Sequence, residues 1–225
     1  MYLSRLILNP RNRQVQTDLS NPYQLHRTVM SGFATGKVQV DRSAPDAAGV
    51  LYRLDSNEYQ GRLALLVQSQ TEPDWAALPA GYLLPFEPFS PDENPAVKRV
   101  EPQFRPRQIL LFRLLANPTK RLGKRYGAAK GKRVGIYAPD AQLAWLRRKG
   151  QQGGFRIISA QLDKERLQRG SVHREEISHT LKLYTVRIEG ILQVIDPDLF
   201  LKTVRAGIGS GKAFGCGLLS LAPAR

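Results

Sequence analysis

Six prolines fall between Leu84 and Arg107, and no other feature constrains the fold of this chain as strongly. Proline lacks a backbone N–H donor and fixes φ, so it is excluded from helix interiors and from the central strands of a sheet. We therefore predict a linker over residues 89–106, between an N-terminal domain at 1–88 and a C-terminal domain at 107–225. Each part is long enough, at about 100 residues, to form its own core.

The N-terminal part alternates extended and helical patterns. Strand patterns occupy residues 2–9, 50–55, 63–69 and 83–84, and helix signals occupy 21–30 and 72–75. Asn21 is a good helix N-cap, and Pro22 suits the first helical position. Residues 11–18 are predicted to form an exposed loop. The order strand, helix, strand, strand, short helix, strand is that of the βαββαβ ferredoxin-like unit, which also underlies RNA-recognition folds.

The C-terminal part repeats this order with insertions. Strands are predicted at residues 108–117, 155–159 and 182–194, helices at 139–148 and 199–204, and a last strand near the end of the chain. We expect Gly190 to bend the third of these strands. The predicted fold class is therefore α+β, with two tandem ferredoxin-like domains of the RNA-recognition type.

The charge of the chain favours a polyanionic partner. Lys and Arg number 34 against 19 Asp and Glu, which gives a net charge of +15 and a pI near 10.3. A protein this basic binds nucleic acid whether or not it reads the sequence. No acidic residue lies between Glu101 and Asp140. The cations in this interval are predicted to bind a phosphate backbone, and a solvated loop is the alternative. They are Lys120, Arg121, Lys124, Arg125, Lys130, Lys132 and Arg133.

A glycine-rich run lies near the C-terminus, with Arg205 before it and Lys212 inside it. Gly207, Gly209 and Gly211 tolerate φ > 0 and lack Cβ, so the backbone can turn sharply and bring its N–H groups close to a phosphate. The dinucleotide-binding and P-loop motifs lead from a strand into a helix, whereas this run leads into a last strand. A polynucleotide lying across the loop is the favoured ligand, and a flexible turn without a ligand is the alternative.

Cysteine and histidine are too few for a disulfide framework or a clear metal site. Cys216 is the one cysteine, and we expect it to be a small packed residue without a redox role. His173 and His179, with Glu175 and Glu176 between them, could bind a metal in principle. The spacing of six residues between the histidines fits neither one helix face nor a compact ligand pair, so a mobile loop is favoured and no metal is predicted. No segment has the roughly 18 apolar residues that a membrane span needs. We expect a cytoplasmic protein with no membrane partner.

Several short motifs, each weak alone, together resemble one family from end to end of the chain. The motifs are Tyr2-Leu3-Ser4-Arg5, Tyr23-Gln24-Leu25-His26-Arg27, Glu72-Pro73-Asp74-Trp75, Ala116-Asn117-Pro118-Thr119-Lys120, Gly131-Lys132-Arg133-Val134 and the run from Gly207 to Leu219. Their combination and order resemble the CasE family, the CRISPR RNA-processing endoribonucleases of the type I-E Cascade complex.

The resemblance implies a reaction and its residues. It implies metal-independent cleavage of CRISPR repeat RNA at the base of a hairpin, without a cofactor, leaving a 5′-hydroxyl and a 2′,3′-cyclic phosphate. His26 and Tyr23 match the catalytic residues of the family, and Arg27 matches the basic residue that follows. Some members carry a Lys where this chain has Ser31, with Lys37 nearby, so the residue that contacts the scissile phosphate is left open between Arg27, Ser31 and Lys37.

Histidine suits this chemistry because its ordinary pKa lies near 6.5, and we predict that His26 is the general acid, with a base role as the alternative. Arg156 is a candidate for contacts at the base of the stem. The expected partners are the repeat RNA hairpin and the other Cascade subunits, and the isolated protein is expected to be a monomer. Two competing hypotheses are a non-catalytic RNA-hairpin-binding subunit of the same fold and a general basic nucleic-acid-binding protein.

Overall fold

We describe the fold from a computed structural model of the chain. The structure describes residues 1–33, 49–57, 62–85, 93–123, 131–174 and 177–224, and within these it describes all side chains except those at 56–57, 164–174 and 177–182. These residues divide into two compact units. Unit 1 comprises Met1–Glu101, Arg169–Leu181 and Ala213–Gly215, and unit 2 comprises Pro102–Gln168, Lys182–Lys212 and Cys216–Arg225.

Unit 1 contains a four-stranded antiparallel sheet in the order β2-β3-β1-β4. Its central strands β1 and β3 pair with Leu6 opposite Leu65. This is the strand order of a ferredoxin-like sheet. The elements are β1 (Tyr2–Leu8), α1 (Arg13–Ser20), α2 (Pro22–Ser31), β2 (Leu51–Asn57), β3 (Arg62–Ser69) and β4 (Ala96–Arg99).

The core of unit 1 lies between one face of this sheet and the helices. Alternate residues of a strand point to one face, so Leu6 and Leu8 of β1 are buried together. Leu25 and Val29 of α2 are four residues apart on one helix face and pack into the same cluster. Trp75 joins this core and donates its indole N–H to Ser4 Oγ at 3.0 Å.

The exposed loop predicted at residues 11–18 is wrong, because Arg13–Ser20 forms helix α1. Asn12 caps the helix, since its side chain accepts hydrogen bonds from the N–H groups of Gln14 and Val15. Val15 and Asp18, three residues apart, point into the protein and are buried. The sequence pattern does not show this helix because one of its two buried residues carries a charge.

The fourth strand and the second helix of unit 1 also differ from the prediction. The prediction put the fourth strand at 83–84, but Leu83 forms only a single bridge to Leu8. Strand β4, which pairs with β1, lies inside the predicted Pro-rich linker, so the linker prediction is wrong over Ala96–Arg99. Because β4 is an edge strand, prolines can flank it. The helix predicted from residue 72 is the single 3-10 turn Trp75–Ala77.

Unit 2 contains a second antiparallel sheet, in the order β10-β5-β9-β8, and this is again a ferredoxin-like order. A separate two-stranded hairpin, β6–β7, is inserted after the first strand. The predicted fold class, α+β with two tandem ferredoxin-like domains, is confirmed. The elements are β5 (Ile109–Ala116), β6 (Thr119–Arg121), β7 (Arg133–Gly135), α3 (Pro139–Gln152), β8 (Phe155–Arg174), β9 (Ile177–Val194), α4 (Pro197–Ala206) and β10 (Leu219–Pro223).

The strands β8 and β9 are longer than predicted. They continue to Arg174 and begin again at Ile177, so the mobile loop predicted around His173 and His179 is wrong over the described backbone. Gly190 of β9 has no space for a side chain, because a Cβ there would overlap the carbonyl oxygen of Ser159. Glycine is therefore required where these two strands approach each other.

Candidate functional site

Helix α2 carries the candidate catalytic residues and is fixed at both ends. Asn21 caps its start, since the side chain accepts a hydrogen bond from the N–H of Tyr23 at 3.1 Å. The helix ends at Gly32, which packs so closely on Trp75 that a Cβ there would lie 2.7 Å from the indole ring. With its apolar face buried, α2 leaves Tyr23 and His26 half-buried and Arg27 exposed.

The imidazole of His26 lies parallel to the ring of Tyr52, with the ring centroids 6.3 Å apart and an angle of 19° between the planes. Its Nδ1 is buried and has no hydrogen-bond partner among the described residues. Burial lowers the pKa of His26 below its ordinary value because the cation is less well solvated than in water. Burial therefore favours the neutral form of the imidazole.

Ser31 and Lys37, the two other residues predicted to contact the phosphate near His26, do not show a free cation beside it in the described structure. The hydroxyl of Ser31 donates to the carbonyl of Thr28 at 2.7 Å, within the helix. Lys37 lies outside the described residues. Arg27 is therefore the one cation among the three whose position the structure describes.

In unit 2 the structure brings together many of the predicted RNA-binding residues around one open groove of about 330 Å³. The groove lies between the β6–β7 hairpin, α3 and the glycine-rich loop. No acidic residue is among the described residues that line it. We call this the basic groove, and it is lined by Thr119, Lys120, Arg121, Arg133, Trp145, Lys149, Gly207, Gly209, Ser210 and Lys212.

The glycine-rich loop has the backbone that its sequence predicts. Gly207, Gly209 and Gly211 all have positive φ, at 74°, 85° and 80°. The loop is also joined to the residues that lead into the hairpin. Ser210 forms a bridge with Asn117, and its hydroxyl donates to the carbonyl of Asn117 at 3.1 Å.

Other predicted binding residues lie elsewhere or outside the described residues. Arg205 is exposed in the last turn of α4, and Lys132 is exposed beside β7. Arg156, at the start of β8, donates a hydrogen bond to the side chain of Gln193 and does not line the basic groove. Residues 124–130, with the predicted contacts Lys124, Arg125 and Lys130, lie outside the described part of the chain.

The sequence did not predict a binding role for Lys149, Ser210 or Tyr52. Lys149 is in the last turn of α3, where a basic residue is common because it stabilises the helix dipole. Nothing in the sequence around it therefore indicates a second role in the groove. Tyr52 and His26 are brought together by the fold, with no local pattern between them. Cys216 is buried as predicted, and burial raises the pKa of its thiol to about 12.

A family model described as "CRISPR associated protein" matches residues 1–223. The CRISPR-associated endoribonuclease Cse3 of Thermus thermophilus is 38% identical over 236 residues, covering 99% of this chain and 100% of the relative. The Cascade subunit CasE of Escherichia coli is 32% identical over 231 residues, covering 99% and 100%. This chain belongs to the CasE family.

Solved structures of CasE-family proteins have the same fold. The endoribonuclease Cse3 bound to a 19-nucleotide RNA matches with a TM-score of 0.81 at 37% identity, covering 99% of this chain and 100% of the other. Thermus thermophilus Cse3 bound to an RNA representing a pre-cleavage complex matches at 0.79 and 36%, covering 99% and 98%. Cas6e of Escherichia coli matches at 0.66 and 25%, with both chains covered completely.

The described residues of this CasE-family protein contain neither a cluster suited to a metal ion nor a helix suited to span a membrane. No group of three or more His, Cys, Asp or Glu side chains in them is arranged to hold a metal ion. No helix in them is both long and apolar enough to cross a membrane.

Proposed function

We propose that this chain is an endoribonuclease that cleaves CRISPR repeat RNA at the base of its hairpin and stays bound to the product as a subunit of Cascade. The observation that carries the proposal is the similarity, along the whole chain, to a relative named as an endoribonuclease and solved with RNA in a pre-cleavage complex. A cytoplasmic location and a monomeric isolated protein are part of the proposal, and so is independence of metal ions.

The proposed reaction needs no nucleophile from the protein, because RNA supplies its own 2′-hydroxyl. The 2′-oxygen attacks the adjacent phosphorus, the bond from phosphorus to the 5′-oxygen breaks, and a 2′,3′-cyclic phosphate remains. One proton leaves the 2′-hydroxyl, and one is added to the departing 5′-oxygen. His26 is the proposed general acid for the second transfer. Its neutral ring must first take up a proton, and the proton lost by the 2′-hydroxyl, relayed by water, supplies it. Tyr23 hydrogen-bonds the reacting oxygens.

A cation is needed near the scissile phosphate because negative charge grows there as the 2′-oxygen attacks. Arg27 is the favoured residue, since it is exposed on α2 one position after His26. A guanidinium can form two parallel hydrogen bonds to phosphate oxygens. Ser31 offers only a hydroxyl that already donates to Thr28, and Lys37 remains a candidate from the sequence alone.

We assign the basic groove to the RNA backbone. Five cations line it, namely Lys120, Arg121, Arg133, Lys149 and Lys212. A double-stranded A-form stem is recognised mainly through its shape and its backbone, which suits a surface of cations and exposed backbone. The positive φ values of the loop glycines allow phosphates to approach the main chain, so Gly207, Gly209 and Gly211 belong to the same proposed surface.

A non-catalytic RNA-hairpin-binding subunit of the same fold remains the second candidate. The observation that favours it is Ser31, which stands where some family members place a lysine and which uses its hydroxyl inside the helix. The basic groove would bind RNA equally well in either case, so binding does not separate the two functions and cleavage does.

The test is a cleavage assay on a labelled repeat hairpin with EDTA present, comparing wild type with His26→Ala. We expect one cut at the base of the stem by wild type and none by the variant, with RNA affinity unchanged. Gln16→Ala, an exposed change on the neighbouring helix α1, is the matched control and should cut normally. Tight binding without any cut would establish the non-catalytic subunit, and a cut that requires Mg²⁺ would disprove the metal-independent mechanism.

A further inference from the structure

Nothing that the structure describes holds the His26 ring by a hydrogen bond on Nδ1. In many catalytic histidines one ring nitrogen is bound to a carboxylate or a carbonyl, and this bond sets the orientation and the tautomer of the ring. Here Nδ1 is buried without such a partner among the described residues. The parallel ring of Tyr52 lies where it can fix the plane of this imidazole.

Tyr52 is itself held firmly. It is the second residue of β2, opposite Val67 of β3, and its side chain is only 1% exposed. Its hydroxyl donates to the backbone carbonyl of Ala213 at 2.8 Å. The ring therefore has a defined position at its base, from the strand, and at its tip, from this hydrogen bond.

The turn that accepts this hydrogen bond also packs on the ring. Residues Ala213–Gly215 cluster with unit 1, which contains Tyr52 and His26. At Gly215 a Cβ would lie 3.4 Å from Cε2 of Tyr52, and the φ of this glycine is +81°. A Cβ at this position would be in ordinary van der Waals contact with the ring of Tyr52, and the positive φ would strain the backbone of any other residue.

We propose that Tyr52 is a positioning residue for RNA cleavage, whose ring sets the plane of the His26 imidazole and whose hydroxyl ties that ring to the Ala213–Gly215 turn. This inference rests on the proposed catalytic function of His26. Tyr52 does not touch the reacting atoms. It lowers the number of orientations that the imidazole can adopt, and a proton donor must be correctly oriented within hydrogen-bond reach of the leaving oxygen.

The test compares Tyr52→Phe with Tyr52→Met and Tyr52→Leu in single-turnover cleavage at saturating protein, so that the rate does not depend on RNA affinity. Phe keeps the ring and loses only the hydroxyl. Met and Leu fill much of the volume but present no ring to the imidazole. We expect the rate to fall at least tenfold in Met and Leu and less than threefold in Phe, with the Kd for the repeat hairpin within twofold of wild type throughout.

A matched control separates positioning from a general loss of stability. Tyr82→Leu changes another tyrosine that is 1% exposed in the same core, but its hydroxyl binds Asp18 and its ring is not paired with His26. If the two variants lower the Tm by the same amount, Tyr82→Leu should cleave much faster than Tyr52→Met. Equal slowing by the two variants would overturn the proposal, and so would a wild-type rate in Tyr52→Met or a loss in Tyr52→Phe as large as in Met.

Two measurements keep the outcome decisive. NOE contacts between the ring protons of Tyr52 and His26 in the wild-type protein need no core substitution, and their absence would disprove the proposed contact. His26→Ala, run beside the Tyr52 variants, tells the two proposals apart. If His26→Ala cleaves like wild type, the proposed catalytic role of His26 fails, and the positioning inference fails with it. If it is inactive while Tyr52→Met is normal, only the positioning inference fails.

Discussion

The phenol of Tyr82 donates a hydrogen bond to the carboxylate of Asp18 at 2.7 Å inside the core of unit 1, and both side chains are 1% exposed. A buried carboxylate is costly unless it is paired with donors. Asp18 has two donors, because Gln14 Nε2 also lies 2.8 Å from its other oxygen. The pair joins helix α1 to the segment after the 3-10 turn, and burial beside this carboxylate raises the pKa of Tyr82 far above its ordinary value.

The first prediction concerns this pair. Tyr82→Phe removes one of the two donors and leaves Asp18 under-satisfied in the core, so we expect a loss of about 1–3 kcal/mol in the free energy of unfolding. Urea denaturation measures it. Tyr2→Phe is the control, because the Tyr2 hydroxyl makes only an exposed contact of 3.4 Å with Glu72, and its cost should be about 0.5 kcal/mol or less. Equal costs for the two variants would contradict the prediction.

This pair also shows where prediction from sequence stops. Helix α2 was predictable because its signals are local, namely Asn21 at the cap, Pro22 in the first turn and two apolar residues four apart. The left-handed glycines of the loop were predictable for the same reason. Asp18 was predicted to be exposed, because its donor Tyr82 lies 64 residues away and no local pattern indicates the pair.

The candidate catalytic site also has one part that local sequence signals reveal and one part that only the fold reveals. His26 was found from its residue type, its neighbours Tyr23 and Arg27 and the family resemblance. Tyr52 was missed because only the fold brings strand β2 beside α2 and the Ala213–Gly215 turn, and the turn is 161 residues away in sequence. Strand β4 was missed for a related reason. Its four residues have little strand character of their own and become a strand by pairing with β1.

The second prediction is that Cys216 is unreactive in the folded protein. Its side chain is completely buried, and burial raises the pKa of the thiol to about 12, so little thiolate is present at neutral pH. Alkylation by iodoacetamide should therefore be as slow as the opening of unit 2 and should become fast in denaturing guanidinium. Mass spectrometry of the labelled protein measures both rates. Rapid labelling of the native protein would contradict this prediction.

The third prediction concerns the pH dependence of stability. The pKa of His26 is lowered in the folded protein, so the unfolded chain binds a proton more readily than the folded chain. This group therefore has no effect on stability well above its unfolded pKa, and stability is lost as the pH falls through about 6.5 toward the lowered folded pKa. The unfolding free energy of wild type should consequently fall more steeply between pH 7 and pH 5 than that of His26→Asn.

The measurement is urea unfolding of both proteins at several pH values, and the difference between the two curves isolates His26 from the other titrating groups. The slope of this difference cannot exceed about 1.4 kcal/mol per pH unit, which is the limit for the uptake of one proton. Parallel curves would mean that the imidazole is as easily protonated in the folded protein as in the unfolded chain, which is inconsistent with its burial.

The fourth prediction tests the basic groove. Lys120→Gln, Arg121→Gln and Arg133→Gln together remove three of its cations without changing the core, since all three side chains are exposed. Each phosphate contact that is lost should make the negative slope of log K against log salt less steep by about one. The triple variant should therefore bind the repeat hairpin more weakly, with a slope smaller in magnitude by about three. Cleavage of RNA that is fully bound should survive, because His26 and Tyr23 are unchanged.

A second triple variant distinguishes the groove from net charge. Arg11→Gln, Arg13→Gln and Lys98→Gln remove the same charge from exposed positions of unit 1. If the RNA backbone lies along the basic groove, this control should change the salt slope by less than one, since it removes long-range attraction but no phosphate contact. Equal changes in the two triples would mean that the whole positive surface attracts RNA and that the groove has no special part in holding it. An unchanged slope in the groove variant would exclude its three cations from the RNA-binding surface.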